Sequence, residues 1–411
     1  MKKSFGLLGE KLGHSFSPLI HSFLGDYDYM LYEIPSHDLD SFMRERPFHG
    51  INVTIPYKQA VIPFCASLSD EARLTGSVNT IIKDKNGSLH GHNTDYHGLR
   101  VMLERGKIDP SGKKALVLGD GGSALTVRAV LHDLGAGEIV TISRRGENHY
   151  GNISIHHDAD ILVNTTPVGM YPNNGSRPLH LEGFNRLAGV ADLIYNPMRT
   201  NLLLEAMQIG IPCVNGLTML VAQAEMASRL FLGETARPDT SNVLDKILSI
   251  IQKRTQNIAL IGMPGCGKST VGRHLAQMMR RSFVDIDALI EESVGKRIPK
   301  IFADDGEGTF RFFETQVLSE ESKKNGIVIA TGGGVVTRPE NLDLLRQNSL
   351  VVYIKRESAE LDTANRPLSQ KTGIETLAKQ RLPLYEAWSD CIVQSTATPE
   401  QTATQILNSI G

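Results

Sequence analysis

Cysteine is scarce in this sequence, and long apolar segments are missing. The four cysteines, Cys65, Cys213, Cys266 and Cys391, form no C-x-x-C pair, which argues against a disulfide framework or a thiolate metal site. We interpret them as reduced packing residues and expect a cytoplasmic protein. No apolar run approaches the roughly 18 residues that cross a bilayer. The first 15 residues include three lysines but no sustained apolar core, so a secretory signal is not expected.

An excess of charge of one sign is also missing. The formal net charge is −2, with acidic and basic residues interspersed, whereas a nucleic-acid-binding surface needs a basic stripe. We expect small-molecule substrates as partners and neither nucleic acid nor a membrane; the oligomeric state stays open. Apolar residues make up 41% of the 411 residues, which indicates a globular chain of two or three domains.

Short apolar runs alternate with helical segments along the chain, a pattern typical of α/β proteins. Beyond residue 257 five such runs occur, "IALIG", "FVDI", "IVIAT", "LVVYI" and "CIVQ". They predict a five-stranded parallel sheet covered by helices on both faces. Gly, Pro and small polar residues at 233–241 predict a domain boundary. Apolar residues at helical spacing over 243–251 predict a helix just after it.

A glycine-rich loop, "GDGGSA", follows the apolar run "KALVLG" and precedes the helical stretch "SALTVRAVLHDLG". Gly119, Gly121 and Ala124 match G-x-G-x-x-G/A, in which the small residues allow a tight turn and close approach to a pyrophosphate. Gly122 and Ser123 then belong to the helix N-terminus that faces the anion. Glycines also end strands for structural reasons, but the strand–loop–helix context favours a dinucleotide site.

The second strand of this βαβ unit, "EIVTISRR", ends in Ser143, Arg144 and Arg145. An NAD-binding unit usually has an acidic residue here for the ribose hydroxyls. Guanidinium groups cannot accept from a hydroxyl, but they pair well with a 2′-phosphate. The sequence therefore predicts NADP, with a solvated pair of arginines as the alternative.

Polar groups suited to a substrate site precede this loop. They occur in "HSFSP" (14–18), "NVTIPYK" (52–58), "SVNT" (77–80) and "GHNTD" (91–95). Singly, each has an ordinary structural interpretation as a cap, turn or surface residue. In this order, and with "NTTPVGM", "DLIYNPMRT" and "NGLTMLVAQAE" further on, the motifs closely resemble those of shikimate dehydrogenase over nearly all of residues 1–233.

That resemblance implies a site for the hydroxyls and carboxylate of a cyclohexene acid, formed by Ser15, Ser17, Thr54, Asn79, Asn93, Asp95 and Gln223. Lys58 and Asp95 would be the catalytic pair. Tyr195 and Gly216 would lie near nicotinamide and substrate, and Thr166 would contact the cofactor. Two departures stand out: Thr218 replaces a usual glycine, and only about 15 residues follow "SRR" before "ADILVNTTP". The second departure predicts an abbreviated adenosine side of the NADP site.

A second phosphate-binding loop, "GMPGCGKST", follows the apolar run "NIALI". Gly262, Gly267, Lys268 and Ser269 complete the P-loop pattern, in which backbone N–H groups surround the phosphates and the hydroxyl ligates Mg²⁺. Gly265 and Thr270 belong to the same predicted ATP site. A P-loop alone does not distinguish a kinase from a switch or a motor.

Further residues help to distinguish a kinase from a switch or a motor. "FVDID" is expected to place Asp285 and Asp287 on one face at a strand end, because strand side chains alternate. "EGTFRFFE" supplies Arg311 and Glu314, and "NRPL" and "RLPLY" add two arginines. Three glycines end the strand "IATGGG", where they would allow close approach to a ligand. A salt-bridged surface is the alternative for the charged set.

Together these motifs resemble shikimate kinase over residues 258–395. The resemblance implies that shikimate is bound by Asp287, Arg311, Gly332, Gly333, Gly334 and Arg381. Asp287 and Lys268 would serve catalysis, Asp285 would sit near Mg²⁺, and Arg366 would close over the phosphates. As a departure, only "AELDTA" separates "YIKRES" from "NRPL".

The two resemblances predict an α/β chain with four parts: a substrate-binding domain over 1–100 completed by a helix near 216–233, a Rossmann NADP-binding domain over 101–215, a linker with a helix over 234–257, and a P-loop kinase domain over 258–411. The expected function is reduction of 3-dehydroshikimate with NADPH and phosphorylation of shikimate with MgATP. Two alternatives stay open: an NAD-linked dehydrogenase of quinate type, and a C-terminal nucleotide-sensing module without kinase activity.

Overall fold

The computed structural model describes residues 3–13, 15–234, 240–357, 373–396 and 398–410. The chain divides into two compact units, Met1–Tyr195 with Thr200–Ile250, and Asn196–Arg199 with Ile251–Gly411. Among the described helices, none combines the length and the apolar character needed to cross a bilayer.

The strands, numbered in chain order, are β1 (Ser4–Gly9), β2 (Asp28–Glu33), β3 (Gly50–Val53), β4 (Ser67–Leu68), β5 (Thr80–Lys83), β6 (Leu89–His92), β7 (Lys114–Leu118), β8 (Glu138–Ile142), β9 (Ile161–Asn164), β10 (Gly189–Asp192), β11 (Cys213–Asn215), β12 (Asn257–Ile261), β13 (Phe283–Asp285), β14 (Val328–Ala330), β15 (Ser349–Lys355) and β16 (Cys391–Gln394).

The α-helices are α1 (Ser17–His21), α2 (Leu39–Glu45), α3 (Asp70–Thr75), α4 (Thr94–Arg105), α5 (Gly122–Asp133), α6 (Asn201–Gln208), α7 (Leu217–Leu232), α8 (Thr240–Thr255), α9 (Lys268–Met279), α10 (Ile286–Val294), α11 (Ile298–Asp304), α12 (Gly306–Glu321), α13 (Glu340–Arg346), α14 (Ile374–Trp388) and α15 (Pro399–Ile410). Short 3-10 segments cover Ser36–Asp38, Ile62–Phe64, Tyr150–His156 and Val335–Thr337.

The first sheet is mixed and has the strand order β2-β1-β3-β5-β6-β4. Strands β1, β2 and β3 are parallel to one another, whereas β5 is antiparallel to both β3 and β6. Because β1 and β3 end at the same edge, the loops that follow them lie side by side. This register places the segment around residue 15 next to residues 54–58.

Helix α7 returns from the second sheet and packs against α4. Glycine at position 98 permits the close approach, because an added Cβ there would lie 2.7 Å from the carbonyl oxygen of Met219 and 3.0 Å from Cβ of Gln223. The contact brings Gln223 beside the start of α4. Phe231, near the end of α7, stacks on Phe5 of β1 at a centroid distance of 4.4 Å.

The second sheet, β11-β10-β9-β7-β8, and the third, β13-β14-β12-β15-β16, are parallel throughout. The five apolar runs predicted beyond residue 257 are the strands of the third sheet, so the predicted α/β fold is confirmed. In both sheets the loops at the carboxyl ends share one edge, where parallel α/β sheets bind their ligands.

Candidate active sites

A cavity of about 550 Å³ lies in the first unit between the edges of its two sheets. It brings together residues that are far apart in the sequence and that share polar or small side chains. The predicted residues among its lining are Ser15, Ser17, Thr54, Lys58, Asn79, Asp95, Ser123, Tyr195, Gly216 and Gln223. The residues predicted to bind substrate therefore line the same cavity as residues of the glycine-rich loop and of the start of α7.

The charged centre of this cavity is an ion pair between Lys58 and Asp95. Lys58 Nζ donates to Asp95 Oδ2 at 2.6 Å, and the two side chains are 23% and 14% exposed. Asp95 stands in the first turn of α4, where the helix N-terminus favours a negative charge. A partly desolvated ammonium held by a carboxylate is positioned to transfer a proton to an oxygen atom in the cavity.

Asn93 is placed differently from the other predicted substrate residues. It caps α4 by accepting from the backbone N–H of Tyr96 at 3.2 Å, and its amide nitrogen donates to Thr75 Oγ1 and to the carbonyl of Ser77. Its polar atoms thus hold α4 in place, and Asn93 is not among the residues that line the cavity.

A buried hydrogen-bond network lies beneath the cavity. Asn79 Oδ1 accepts from the backbone N–H of Thr94 at 2.7 Å and from Thr80 Oγ1 at 3.1 Å. Thr94 Oγ1 also donates to Gln223 Oε1 at 3.4 Å, which ties α4 to α7. Because these polar groups satisfy one another, Asn79 and Gln223 have fixed positions at the cavity wall.

The glycine-rich loop has the backbone geometry that its motif predicts. Gly119 has φ of +103°, and an added Cβ there would lie 2.8 Å from Thr165 Oγ1. At Gly121 and Gly122 an added Cβ would meet no protein atom within 4 Å, so the space above the start of α5 is open. Ala124 is buried against the sheet.

The three residues predicted to select NADP follow β8 directly and differ in their burial. Ser143 is buried, and its hydroxyl donates to the carbonyl of Arg145 within the turn. Arg144 and Arg145 are exposed at the surface. After this turn, the 3-10 segment Tyr150–His156 alone connects to β9. This short connection agrees with the small number of residues between "SRR" and β9.

A buried carboxylate organises the loops at the carboxyl ends of β9 and β10. Asp192 accepts from Asn164 Nδ2 at 3.0 Å, from the backbone N–H of Ile194 at 3.0 Å and from Thr200 Oγ1 at 2.7 Å. Asn164 in turn accepts from both the N–H and the hydroxyl of Thr166. Burial raises the pKa of Asp192 to about 6.

Gly216 lies between β11 and α7, where it is the N-cap of the helix, in contact with this region. Its N–H donates to the carbonyl of Ile194 at 3.0 Å, and an added Cβ would collide with the carbonyl of Leu193. Tyr195 therefore lies directly beside Gly216 at the cavity, where burial raises its pKa. Thr218 lies within the unbroken first turn of α7.

In the second unit, the P-loop wraps around the start of α9. Gly262, Gly265 and Gly267 all have positive φ, of +147°, +85° and +95°. Lys268 is buried, and its ammonium donates to the carbonyls of Gly262 and Met263 at 2.9 and 3.0 Å. Ser269 is half-buried and Thr270 is exposed. This loop conformation is the one that a phosphate-binding cradle requires.

Asp285 and Asp287 do not share one face of a strand, so that expectation was wrong. Strand β13 ends at Asp285, which caps α10 by accepting from the backbone N–H groups of Asp287 and Ala288 at 3.1 and 3.4 Å. Asp287 consequently lies in the first helical turn. An Asx-type cap competes with strand extension because the carboxylate satisfies the otherwise unpaired amides.

The glycines after β14 each lie against a different part of the site. A Cβ on Gly332 would lie 2.8 Å from Asp287 Oδ1 and closer still to Glu314 Oε1, and one on Gly333 would lie 2.6 Å from the ring of Pro264. A Cβ on Gly334 would collide with the Arg311 guanidinium. The three glycines thus lie in one site with the acidic groups, the P-loop and Arg311.

Two arginines complete this set. Arg311 donates to Glu314 Oε2 at 2.7 Å and to Glu307, and Arg381 donates to the carbonyl of Gly333 at 3.1 Å. Both guanidinium groups are largely buried. They are therefore held in place before any anionic ligand arrives, which favours recognition of a carboxylate.

Asp287 and Glu314 are acidic groups in an apolar setting. Burial, then the nearby charges of Glu314 and Asp285, raise the pKa of Asp287 to about 6. Burial also raises the pKa of Glu314. Within the described residues, Asp287 Oδ1 and Glu314 Oε1 are buried and have no hydrogen-bond partner. Such atoms are candidates for contact with a substrate hydroxyl.

Comparison with known proteins identifies the first unit. The family model described as the shikimate dehydrogenase substrate-binding domain matches residues 7–81. The NADP-dependent shikimate dehydrogenase of Clostridium perfringens strain SM101 is 38% identical over 252 residues, which cover 56% of this chain and 93% of that protein. The chain belongs to the shikimate dehydrogenase family.

Solved structures of shikimate dehydrogenases share this fold. The chorismate mutase/shikimate 5-dehydrogenase fusion protein of Clostridium acetobutylicum has a TM-score of 0.57 at 33% identity and covers 62% of this chain and 98% of its own. The Thermus thermophilus enzyme in complex with NADP(H) and shikimate has a TM-score of 0.55 at 31% identity and covers 60% and 99%. Both neighbours account for the dehydrogenase portion of the chain.

The second unit matches a different family. Residues 264–411 match the family model described as shikimate kinase. The chain therefore carries a shikimate kinase domain after its dehydrogenase portion, as the resemblance in the motifs predicted.

The motifs did not indicate every residue at the two sites. Asn52 and Lys11 also line the dehydrogenase cavity, and the two-residue spacing between Asn52 in β3 and Thr54 just after it could have indicated Asn52. In the kinase domain, the Tyr385 hydroxyl donates to the carbonyl of Gly333. Tyr385 lies one helical turn after Arg381, so the helical period could have found it.

The predicted nucleotide-contacting Arg366 lies outside the described residues, as does the shortened segment "AELDTA". In the parts of the chain that the structure describes, no group of three or more His, Cys, Asp or Glu side chains is arranged to hold a metal ion. A magnesium site of the P-loop type would instead combine few protein ligands with phosphate oxygens and water.

Proposed function

We propose that this chain is a bifunctional enzyme that reduces 3-dehydroshikimate to shikimate with NADPH and phosphorylates shikimate to shikimate 3-phosphate with MgATP. The observation that carries the first activity is the 2.6 Å pair of Lys58 and Asp95 inside a polar cavity that also contains Ser123. The second activity rests on the strand end at Gly332 and Gly333, which lies against Asp287, the Arg311–Glu314 pair and the P-loop.

In the dehydrogenase portion, reduction of the ketone needs a hydride on carbon and a proton on oxygen. NADPH supplies the hydride when bound. Lys58 holds the proton at the carbonyl oxygen, and Asp95 orients the ammonium and stabilises its charge. Ser15, Ser17, Thr54, Asn79, Tyr195 and Gln223 surround the remaining space and would bind the carboxylate and hydroxyls of the substrate.

Cofactor choice follows from the surface beyond β8. Arg144 and Arg145 are exposed there, and both could pair with a 2′-phosphate but not accept from a ribose hydroxyl. The open space above Gly121 and Gly122 would receive the pyrophosphate. The Thermus thermophilus relative was crystallised with NADP(H) and shikimate, which supports the same pair of ligands here.

In the kinase domain, the P-loop glycines and Lys268 would hold the ATP phosphates, with Ser269 and Thr270 at the start of α9. Ser269 would ligate Mg²⁺ directly and Asp285 would do so through water, because hydroxyl and carboxylate oxygens are the donors this cation prefers. Asp287 would accept the proton of the shikimate hydroxyl that is phosphorylated. Arg311 and Arg381 would bind the shikimate carboxylate.

One incubation separates this proposal from its alternatives. The protein is supplied with 3-dehydroshikimate, NADPH and MgATP, and the products are identified by mass. We expect shikimate when ATP is omitted and shikimate 3-phosphate when it is present. Parallel reactions with NADH and with quinate test the NAD-linked alternative. Shikimate without phosphorylation would instead indicate a nucleotide-sensing C-terminal domain.

A further inference from the structure

Tyr29 lies directly behind the wall of the dehydrogenase cavity. It stands on β2, and its hydroxyl donates to Asn52 Oδ1 at 2.8 Å. The side chain of Ser17 lies near this hydroxyl. Ser17 and Asn52 both line the cavity, whereas Tyr29 is not among its lining residues. The Tyr29 hydroxyl is therefore bonded to a cavity residue on a different strand.

The contact with Asn52 settles which way its amide points. With Oδ1 occupied by Tyr29, the amide nitrogen of Asn52 donates to Thr80 Oγ1 at 3.0 Å. Thr80 then donates to Asn79 Oδ1 at 3.1 Å. The Tyr29 hydroxyl is thus one end of a hydrogen-bond chain that reaches Asn79, so the donors and acceptors along the cavity wall depend on it.

The ring of Tyr29 is itself held in place. His21 stacks on it with a centroid distance of 3.9 Å and an interplanar angle of 12°. Burial and the neighbouring Tyr27 raise the pKa of Tyr29 well above its ordinary value. The hydroxyl consequently keeps its proton at neutral pH and donates it to Asn52.

We propose that Tyr29 is a positioning residue of the dehydrogenase: through Asn52 and Thr80 it fixes the amides of Asn52 and Asn79 at the cavity wall, where the substrate binds. This inference rests on the proposed reduction of 3-dehydroshikimate. Tyr29 acts through other residues and does not itself touch the substrate or the nicotinamide. Because Tyr29 supports substrate binding in the ground state through its neighbours, its loss should change KM rather than kcat.

Tyr29→Phe removes the hydroxyl and keeps the ring that packs on His21. Loss of one neutral hydrogen bond should raise KM for 3-dehydroshikimate between about 2-fold and 12-fold. We expect kcat to stay within about 2-fold and KM for NADPH to stay unchanged. The dissociation constant of shikimate, measured by calorimetry, should rise by the same factor as the substrate KM.

Tyr27→Phe is the matched control. The Tyr27 hydroxyl is also partnered, with His21 Nδ1 at 2.7 Å and Ser228 Oγ at 2.9 Å. None of these three residues lines the cavity. Both variants lose one partnered hydroxyl from the same region, so both should lower the melting temperature, but only Tyr29→Phe should raise the substrate KM.

A double variant tests whether the effect passes through Asn52. If Tyr29 orients Asn52, the Tyr29→Phe change should raise KM less in an Asn52→Ala background than in the wild type. Unchanged KM in a folded Tyr29→Phe variant, or equal increases in Tyr27→Phe and Tyr29→Phe, would overturn the inference alone. A wild-type protein that neither reduces 3-dehydroshikimate nor binds shikimate would overturn the proposed function, and this inference with it.

Discussion

Lys58 Nζ lies 2.6 Å from Asp95 Oδ2 although 37 residues separate them in the sequence. Lys58 follows β3, Asp95 begins α4, and the first sheet brings the two together. Because the pair is the charged centre of the cavity, it provides the most direct test of the dehydrogenase activity.

Lys58→Ala should lower kcat for reduction of 3-dehydroshikimate by about 10²- to 10⁴-fold, the usual contribution of a positioned acid or base. KM should change much less, because serine and amide side chains provide most of the binding contacts. Steady-state kinetics with NADPH measures both constants. The kinase activity of the same preparation serves as the control for folding, and an unchanged kcat would remove Lys58 from the mechanism.

Arg144→Ala should weaken NADPH binding by about 10- to 100-fold and affect NADH far less, because a charge-assisted contact to the 2′-phosphate is lost. Fluorescence titration with the two cofactors checks this difference within one variant. Equal losses for NADPH and NADH would show that Arg144 does not recognise the phosphate.

Lys268→Ala should abolish phosphoryl transfer, because the buried ammonium is the positive charge of the P-loop. Oxidation of NADPH by 3-dehydroshikimate should continue at the wild-type rate if the two activities reside in separate units. The two assays are run on one protein sample. Loss of both activities in a folded variant would contradict the proposed boundary near residue 237.

Asp287→Asn should lower kcat of the kinase by about 10²- to 10⁴-fold and leave the dehydrogenase unaffected, because the amide cannot accept the proton of the shikimate hydroxyl. The variant keeps the shape of the side chain beside Gly332. Glu292→Gln, on the same helix, is a suitable control of charge. Equal kinase rates for wild type and Asp287→Asn would argue against a role for this carboxylate.

The raised pKa of Asp192 predicts that the stability of the folded chain depends on pH. Its pKa is about 6 in the folded chain against an ordinary value of 3.8, so the folded state binds the proton more tightly than the unfolded state. The contribution of Asp192 to stability is therefore greatest below about pH 4 and falls by about 3 kcal/mol as the pH rises to about 6.

Thermal denaturation of the wild type and of Asp192→Asn across this pH range isolates the effect, because the other titrating groups are common to both proteins. The stability of the wild type relative to the variant should decrease as the pH rises. A difference that does not change with pH would contradict the raised pKa.

Local motifs could be predicted from the sequence because their chemistry depends on adjacent residues. The P-loop and the "GDGGSA" loop need glycines at fixed spacing between a strand and a helix, and the structure shows positive φ at Gly119, Gly262, Gly265 and Gly267. The parallel third sheet was likewise predictable, since five apolar runs separated by helices have few other arrangements.

Helix caps were harder to predict, because a short polar side chain can serve the backbone or a ligand. Asn93 was assigned to the substrate, but its amide caps α4 and bonds to Thr75 and Ser77. Asp285 and Asp287 were expected to share one face at a strand end, but Asp285 ends β13 and caps α10. Whether such a side chain caps a helix or binds a ligand depends on which of the two lies near it in the folded chain.

The sequence by itself determined the fold class and the two phosphate-binding loops, because glycine conformation and apolar periodicity act over a few adjacent residues. Tertiary structure decided which polar side chains meet. Lys58 pairs with Asp95, and Tyr29 reaches Asn52, only because β1, β2 and β3 end in register and α4 packs against α7. Such contacts depend on distances between segments that no local pattern records, so the positioning role of Tyr29 could be inferred only once the strands were placed side by side.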